Sequence, residues 1–124
     1  MAKMTLEMEV DEDTMQEVLD SIKSISSLKA VVKNQLKGLG AYFFFPATGG
    51  YGRSGVPDIV GCYQGEFFGI ECKAGKGTTT PLQKKNLEDI DTAGGLALVV
   101  NEENMHDVSS LLIDRRLSTS AVNS

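Results

Sequence analysis

The residue types best suited to chemistry lie between positions 55 and 83. Asp58 follows Pro57, and Glu71 and Lys73, separated by one residue, stand at the end of an apolar run. Two carboxylates and a lysine gathered at strand ends make a compact site for a divalent metal ion and an activated water. Such a site has the groups needed to hydrolyse a phosphodiester bond.

A predicted hairpin would bring the acids together. Residues 58–63 and 66–74 have the composition of strands, and Gln64-Gly65 between them leaves room only for a tight turn. Because an antiparallel turn brings the outer ends of its two strands side by side, Asp58 and Glu71 are expected to be neighbours.

The strand period adds the lysine to the site. It places Glu71 and Lys73 on one face and Cys72 on the other. Mg²⁺ takes oxygen ligands, here Asp58, Glu71, the Cys72 backbone carbonyl and DNA phosphate oxygens. Lys73 then has three open roles: positioning the water, assisting its deprotonation, or stabilising the pentavalent phosphate, which is the least demanding for a lysine beside two carboxylates. The alternative is that Glu71 and Lys73 form only a salt bridge on the protein surface.

Charge is distributed unevenly along the 124 residues, whose net charge is −5. Residues 1–20 hold seven acids and one lysine, whereas Lys29 to Lys85 hold eight basic residues and three acids, two of them the proposed ligands. A locally basic site is typical of a phosphate-binding surface, although a solvated surface looks the same. The candidate DNA-contacting residues are Tyr51, Arg53, Lys76, Lys84 and Lys85.

The pattern of apolar residues predicts one α/β domain in the order helix, strand, strand, strand, helix, strand, helix, with a small mixed central sheet flanked by helices. Residues 13–117 form this domain, between a flexible acidic segment 1–12 and a frayed tail 118–124. In the first helix, Ser26-Ser27 marks a break or an N-cap. Pro81 opens a second helix, which connects two parallel strands.

Composition indicates an intracellular soluble protein. The sequence shows no apolar run long enough to cross a bilayer and no signal-peptide core. Cys62 and Cys72 lie in strand-like runs and are expected to be reduced core thiols. The five phenylalanines, Phe43, Phe44, Phe45, Phe67 and Phe68, are likewise expected in the core rather than as base-stacking platforms.

These residues resemble the VRR-NUC (virus-type replication-repair nuclease) family of the PD-(D/E)xK superfamily, which has a restriction-endonuclease-like fold. The resemblance covers roughly residues 28–100 and rests on GVPDIVG, IECK, TPLQ and AGGLALVV in this order. It implies a Mg²⁺-dependent deoxyribonuclease, with Mn²⁺ able to substitute, in which Asp58 and Glu71 bind the metal and Lys73 is the catalytic lysine. Gln83 matches a glutamine that lies close to the family's active site.

Further expectations follow from the resemblance alone. Short family members are phage or prophage proteins acting in the bacterial cytoplasm, and they look like dimeric Holliday-junction resolvases, so a homodimer is implied. The family commonly carries a glutamate early in its first helix. Ile25 stands at about that position here, so either Glu17 or Asp20 takes this role or the third acid is missing.

Two other interpretations remain open. One is a DNA-binding or scaffold module that keeps the nuclease fold without cutting. The other is a structural dimer in which Lys73 only pairs with Glu71. For a nuclease, branched DNA is the expected substrate, because so small a domain has no separate module for reading base sequence.

Overall fold

A four-stranded mixed sheet in the order β1-β2-β3-β4 organises the protein. The computed structural model describes residues 12–47 and 54–123. The elements are α1 (Glu12–Leu39), β1 (Tyr42–Phe44), β2 (Ile59–Tyr63), β3 (Glu66–Cys72), α2 (Pro81–Thr92), β4 (Leu96–Val100), a 3₁₀ turn (Met105–Asp107) and α3 (Val108–Asn123). Fold class and element order are as the sequence predicts. The acidic segment 1–11 and the loop 48–53 lie outside the described residues.

Helix α1 is continuous through Ser26-Ser27, so the predicted break or N-cap there is wrong. Serine is a moderate helix former, and tertiary packing readily overrides such a preference. Leu28, Val32 and Leu36 repeat at four-residue spacing on one side of the helix, and all are fully buried. The helix ends as predicted at Gly40, whose φ of 77° is accessible without strain to glycine.

The hairpin between β2 and β3 sets the register of the site. Gln64 and Gly65 both have positive φ, 48° and 87°, as the two central residues of a type I′ turn require. The strands pair antiparallel, with Ile59 opposite Ile70. The residue before Ile59 and the residue after Ile70 therefore lie at the same end of the hairpin.

Helix α2 carries the chain from β3 to β4, and these strands are parallel, as predicted. The helix packs on β3 and β4, while α1, the 3₁₀ turn and α3 pack together, with α1 also contacting the sheet. Gln35 joins α1 to the C-terminal part of the chain, because its amide donates to the Met105 carbonyl and accepts from the Ser109 N–H.

The core contains fewer of the phenylalanines than the sequence predicts. Its buried side chains are Leu28, Val32, Leu36, Ile59, Phe68, Ile70, Cys72, Val100, Val108 and Leu112. Of the five phenylalanines only Phe68 is fully buried, and Phe43 packs partly buried against the core, whereas Phe44, Phe45 and Phe67 are exposed.

Cys62 is also exposed, which corrects the expectation of a core thiol, and both cysteines are free. It pairs with Tyr42 on one side and Phe67 on the other, and both of these side chains are exposed as well. This row lies towards β1, whereas α2 packs on β3 and β4.

The C-terminal helix α3 runs through Asn123, although residues 118–124 were predicted to form a frayed tail. No glycine or proline interrupts residues 108–123, so no backbone signal ends the helix earlier. Among residues 12–47 and 54–123, no helix is both long and apolar enough to cross a bilayer.

Gly61 of β2 has no room for a side chain. A Cβ there would lie 2.6 Å from the Phe68 ring and would also collide with the Tyr42 carbonyl oxygen. We expect Gly61→Ala to lower the free energy of unfolding by about 1–3 kcal/mol, because the added methyl overpacks the sheet. Urea denaturation measures this change. The control is Gly38→Ala in α1, where a Cβ meets nothing within 4 Å, and which is expected to stabilise by about 0.5–1 kcal/mol. Equal stability of the two variants would contradict the packing described.

Candidate active site

Asp58 is fixed at the end of the hairpin. Its Oδ2 accepts a hydrogen bond of 2.9 Å from the Cys72 backbone N–H, so the carboxylate bridges from the start of β2 to the end of β3. The Lys73 N–H in turn donates to the Val100 carbonyl and extends the pairing with β4. The hydrogen bond from Cys72 therefore holds Asp58 beside the end of β3, as the predicted hairpin requires.

Glu71 is the unusual residue of the site. It is only 2% exposed, although glutamate is rarely buried unless it is paired. Its Oε2 lies 3.3 Å from Lys73 Nζ and accepts a 2.9 Å hydrogen bond from Gln83 Nε2. Its Oε1 is buried and has no hydrogen-bond partner in the part of the chain that the structure describes. Both stabilising contacts thus reach one oxygen and leave the other unused.

Burial raises the pKa of Glu71, and the nearby negative charge of Asp58 raises it further, against the opposing effects of Lys73 and of the Asp58 backbone. The folded protein therefore disfavours the ionised carboxylate in the absence of another cation. An unpaired carboxylate oxygen beside a second carboxylate is the donor set that a hard divalent cation prefers. Asp58 and Glu71 therefore fit a metal ion.

Gln83 is oriented by the start of helix α2. The Gln83 N–H donates to Thr80 Oγ1, and the Thr80 N–H donates to Gln83 Oε1, which forms a reciprocal capping box. Because the amide oxygen is engaged in this way, the amide NH₂ faces Glu71. In the sequence, only the resemblance to the VRR-NUC family connects Gln83 with the site. The Thr-x-x-Gln spacing would have predicted the capping box itself.

Lys29 was not predicted as a site residue, yet its Nζ lies 3.9 Å from Asp58 Oδ1, with both side chains about one-third exposed. The proposed acids of α1 lie elsewhere: Asp20 and Glu17 are nine and twelve residues before Lys29, about 13 and 18 Å along the helix. Neither takes the role of the third acid. Within residues 12–47 and 54–123, no cluster of three or more His, Cys, Asp or Glu side chains could hold a metal.

The Cys72 thiol is not suited to bind a metal ion. It packs in the core, and burial together with the charge of Asp58 raises its pKa to about 12. A thiol that stays protonated at neutral pH is a poor metal ligand. Only the Cys72 backbone carbonyl remains a candidate ligand, and this stays a prediction.

The predicted DNA-contacting lysines lie at the protein surface. Lys76 is exposed in the turn after β3, which is held by the Gly75 N–H donating to Glu102. Lys84 and Lys85 are exposed near the start of α2, and Lys85 also pairs with Asp89 at 2.8 Å. The other two candidates, Tyr51 and Arg53, lie outside the described residues.

The raised pKa of Glu71 predicts a pH-dependent effect of Glu71→Gln. The folded wild-type protein holds the Glu71 proton more tightly than the unfolded chain, so its stability falls as pH rises from the ordinary value of 4.5 through the raised pKa. The variant lacks this loss. We expect it to be the more stable protein at about pH 7 in EDTA, with a smaller difference at about pH 4.

Urea denaturation across this pH range provides the measurement. Glu88→Gln makes the same chemical change at an exposed position of α2 and serves as the control. A Glu71→Gln variant less stable than wild type at neutral pH would show that Lys73 and Gln83 fully compensate the buried charge.

No protein-family profile matches the chain, and no curated protein matches it. Its structure is similar to a solved structure described as a VRR_NUC domain, with a TM-score of 0.59 and 22% identity over 73% of this chain and 95% of that one. It is also similar to a VRR_NUC domain protein, with a TM-score of 0.58 and 21% identity over 74% of this chain and 87% of that one. The chain has the fold of VRR_NUC domains.

Proposed function

We propose that this protein is a VRR-NUC nuclease that hydrolyses phosphodiester bonds in DNA with the help of a divalent metal ion. The observation that carries the proposal is the buried Glu71 carboxylate near Asp58, whose Oε1 has no hydrogen-bond partner among residues 12–47 and 54–123. A site that served only to stabilise the fold would gain by pairing or removing this charge. The likeness to VRR_NUC domains gives the proposal its reaction class.

Asp58 and Glu71 would hold the metal, with the Cys72 carbonyl and DNA phosphate oxygens as further ligands. Mg²⁺ suits this oxygen donor set, and Mn²⁺ is expected to substitute for it. A divalent cation supplies positive charge to the scissile phosphate and lowers the pKa of a coordinated water.

The protein's own groups have separate tasks in this proposal. Gln83 and Lys73 both hold Glu71 Oε2, which would leave Oε1 free for the cation. The Cys72 N–H fixes Asp58. Lys73 is only 18% exposed, and its ammonium is placed to stabilise negative charge that develops on the phosphate during attack.

DNA would reach the site across the basic surface. Lys76, Lys84 and Lys85, with Tyr51 and Arg53 of the glycine-rich loop, are the proposed contacts to the sugar-phosphate backbone. Such contacts position DNA without reading base sequence, so the substrate would be recognised by shape, as in branched or Holliday-junction DNA. Action in the bacterial cytoplasm as a phage or prophage protein belongs to the same proposal.

A second candidate function is DNA binding without cleavage. Lys29 favours it, because an ammonium beside Asp58 opposes the binding of a metal there. The described residues also offer no third acid to offset this charge. A protein of this kind would bind branched DNA equally well in EDTA and in Mg²⁺ and would cut it in neither.

We expect the wild-type protein to cut labelled DNA in Mg²⁺ or Mn²⁺ and not in EDTA, with four-way junctions preferred to flaps, single strands and linear duplex. Lys73→Ala should lose roughly 10²–10³-fold in cleavage rate, because one preorganised charge at the phosphate is removed. Lys37→Ala, at an exposed residue of α1, is the control and should cut normally.

Binding of the junction with no cleavage in any metal would favour the non-cleaving candidate. If Lys73→Ala only lowers stability and leaves cutting intact, Lys73 is a structural partner of Glu71 and nothing more.

The proposed active form is a homodimer, because two sites related by a twofold axis suit paired cuts across a junction. The exposed row of Tyr42, Cys62 and Phe67 supplies apolar surface for such pairing. We expect sedimentation equilibrium to give twice the 13.3 kDa chain mass at the concentrations used for cleavage. A monomer that cuts junctions at those concentrations would contradict this part of the proposal.

A further inference from the structure

Lys29 stands where its charge bears directly on metal binding. Its Nζ is 3.9 Å from Asp58 Oδ1, and the other oxygen of Asp58 is already engaged by the Cys72 N–H. The ammonium therefore lies against the oxygen that is free to take a cation. Lys29 also acts on the Cys72 thiol, whose pKa its charge lowers against the larger effect of burial.

The two carboxylates of the site are arranged asymmetrically. Glu71 is almost fully buried, and its Oε1 has no hydrogen-bond partner among the described residues, whereas Asp58 is partly exposed and its Oδ1 lies near an ammonium. Lys73 pairs with Glu71 through Oε2, and Lys29 pairs with Asp58 through Oδ1. Each carboxylate therefore has a lysine beside it, and Glu71 keeps one oxygen to which the described residues supply no hydrogen bond.

We propose that Lys29 is a built-in cation of this site, which lies against the Asp58 oxygen that the Cys72 N–H leaves free and weakens the binding of a divalent ion there. The inference rests on the proposed function and adds to it a residue that sets the metal affinity. The ammonium also becomes a second positive charge towards the DNA phosphate. In this scheme Lys29 supplies positive charge to the site, and helix α1 holds it there.

Two features of the structure support this role over plain solvation. Lys33 and Lys37 continue the four-residue lysine repeat of α1 and are exposed. Lys29 is more buried, with 35% of its side chain exposed, at the point where α1 passes Asp58. Its neighbours Leu28 and Val32 are fully buried, so the backbone that carries Lys29 is fixed against the sheet.

The test is binding of Mn²⁺ alone, without DNA, measured by calorimetry and by the electron paramagnetic resonance signal of free Mn²⁺. Wild type is expected to bind one ion per chain. Lys29→Met should bind Mn²⁺ roughly tenfold more tightly, because Coulomb repulsion from a neighbouring unit charge is removed. Lys29→Glu, which replaces the ammonium with a carboxylate, should bind Mn²⁺ more tightly still. Lys37→Met removes the same charge two helical turns away and should bind as wild type does.

Junction binding in EDTA gives a second readout. Losing one phosphate contact should reduce the slope of log affinity against log salt by about 0.9 in Lys29→Met. Methionine preserves the aliphatic stem, and circular dichroism of each variant confirms that it folds.

Equal Mn²⁺ affinity of wild type and Lys29→Met would overturn the inference. If cleavage remains metal-dependent in that case, the proposed nuclease function survives. Absence of Mn²⁺ binding by every variant would overturn both the inference and the metal-dependent mechanism.

Discussion

A buried carboxylate is unfavourable unless nearby groups compensate its charge, and within the described part of the chain the side chains that contact Glu71 reach only one of its oxygens. The geometry of the site reflects this constraint. Lys73, just after the same strand, and Gln83 on the next helix both reach Oε2, while the Asp58 carboxylate adds a second negative charge. The arrangement lowers stability locally and leaves a site that a divalent cation would complete. Local destabilisation of this kind is common where a protein does chemistry.

The elements of the fold serve that constraint in distinct ways. The Gln64-Gly65 turn fixes the register that sets Asp58 beside the end of β3. The capping box at Thr80 fixes which end of the Gln83 amide faces the carboxylate. Helix α1, buried along one side, delivers Lys29 to the other carboxylate. None of these side chains could hold its position on an isolated element, because each is held by a contact between two elements.

The sequence was sufficient for the parts of this account that depend on local pattern. Turn residues predict the hairpin, and chain connectivity predicts the crossover helix that begins at Pro81. The strand period and the hairpin together predict that Asp58 lies beside Glu71. Burial of Glu71 and the position of Lys29 do not, because both depend on how α1 and α2 pack on the sheet. A lysine repeat on a helix looks the same whether or not one member meets a carboxylate. The exposure of Cys62 and Phe67 was missed for a related reason, since strand composition does not reveal which part of a sheet its helices cover.

Glu71 Oε1 and Asp58 are proposed to hold a divalent cation. Anomalous X-ray diffraction at the manganese absorption edge, from crystals grown in Mn²⁺, tests this. We expect one strong peak per chain, within coordination distance of Glu71 Oε1 and Asp58. An occupied manganese site elsewhere on the surface, with no peak between these two carboxylates at saturating Mn²⁺, would contradict it.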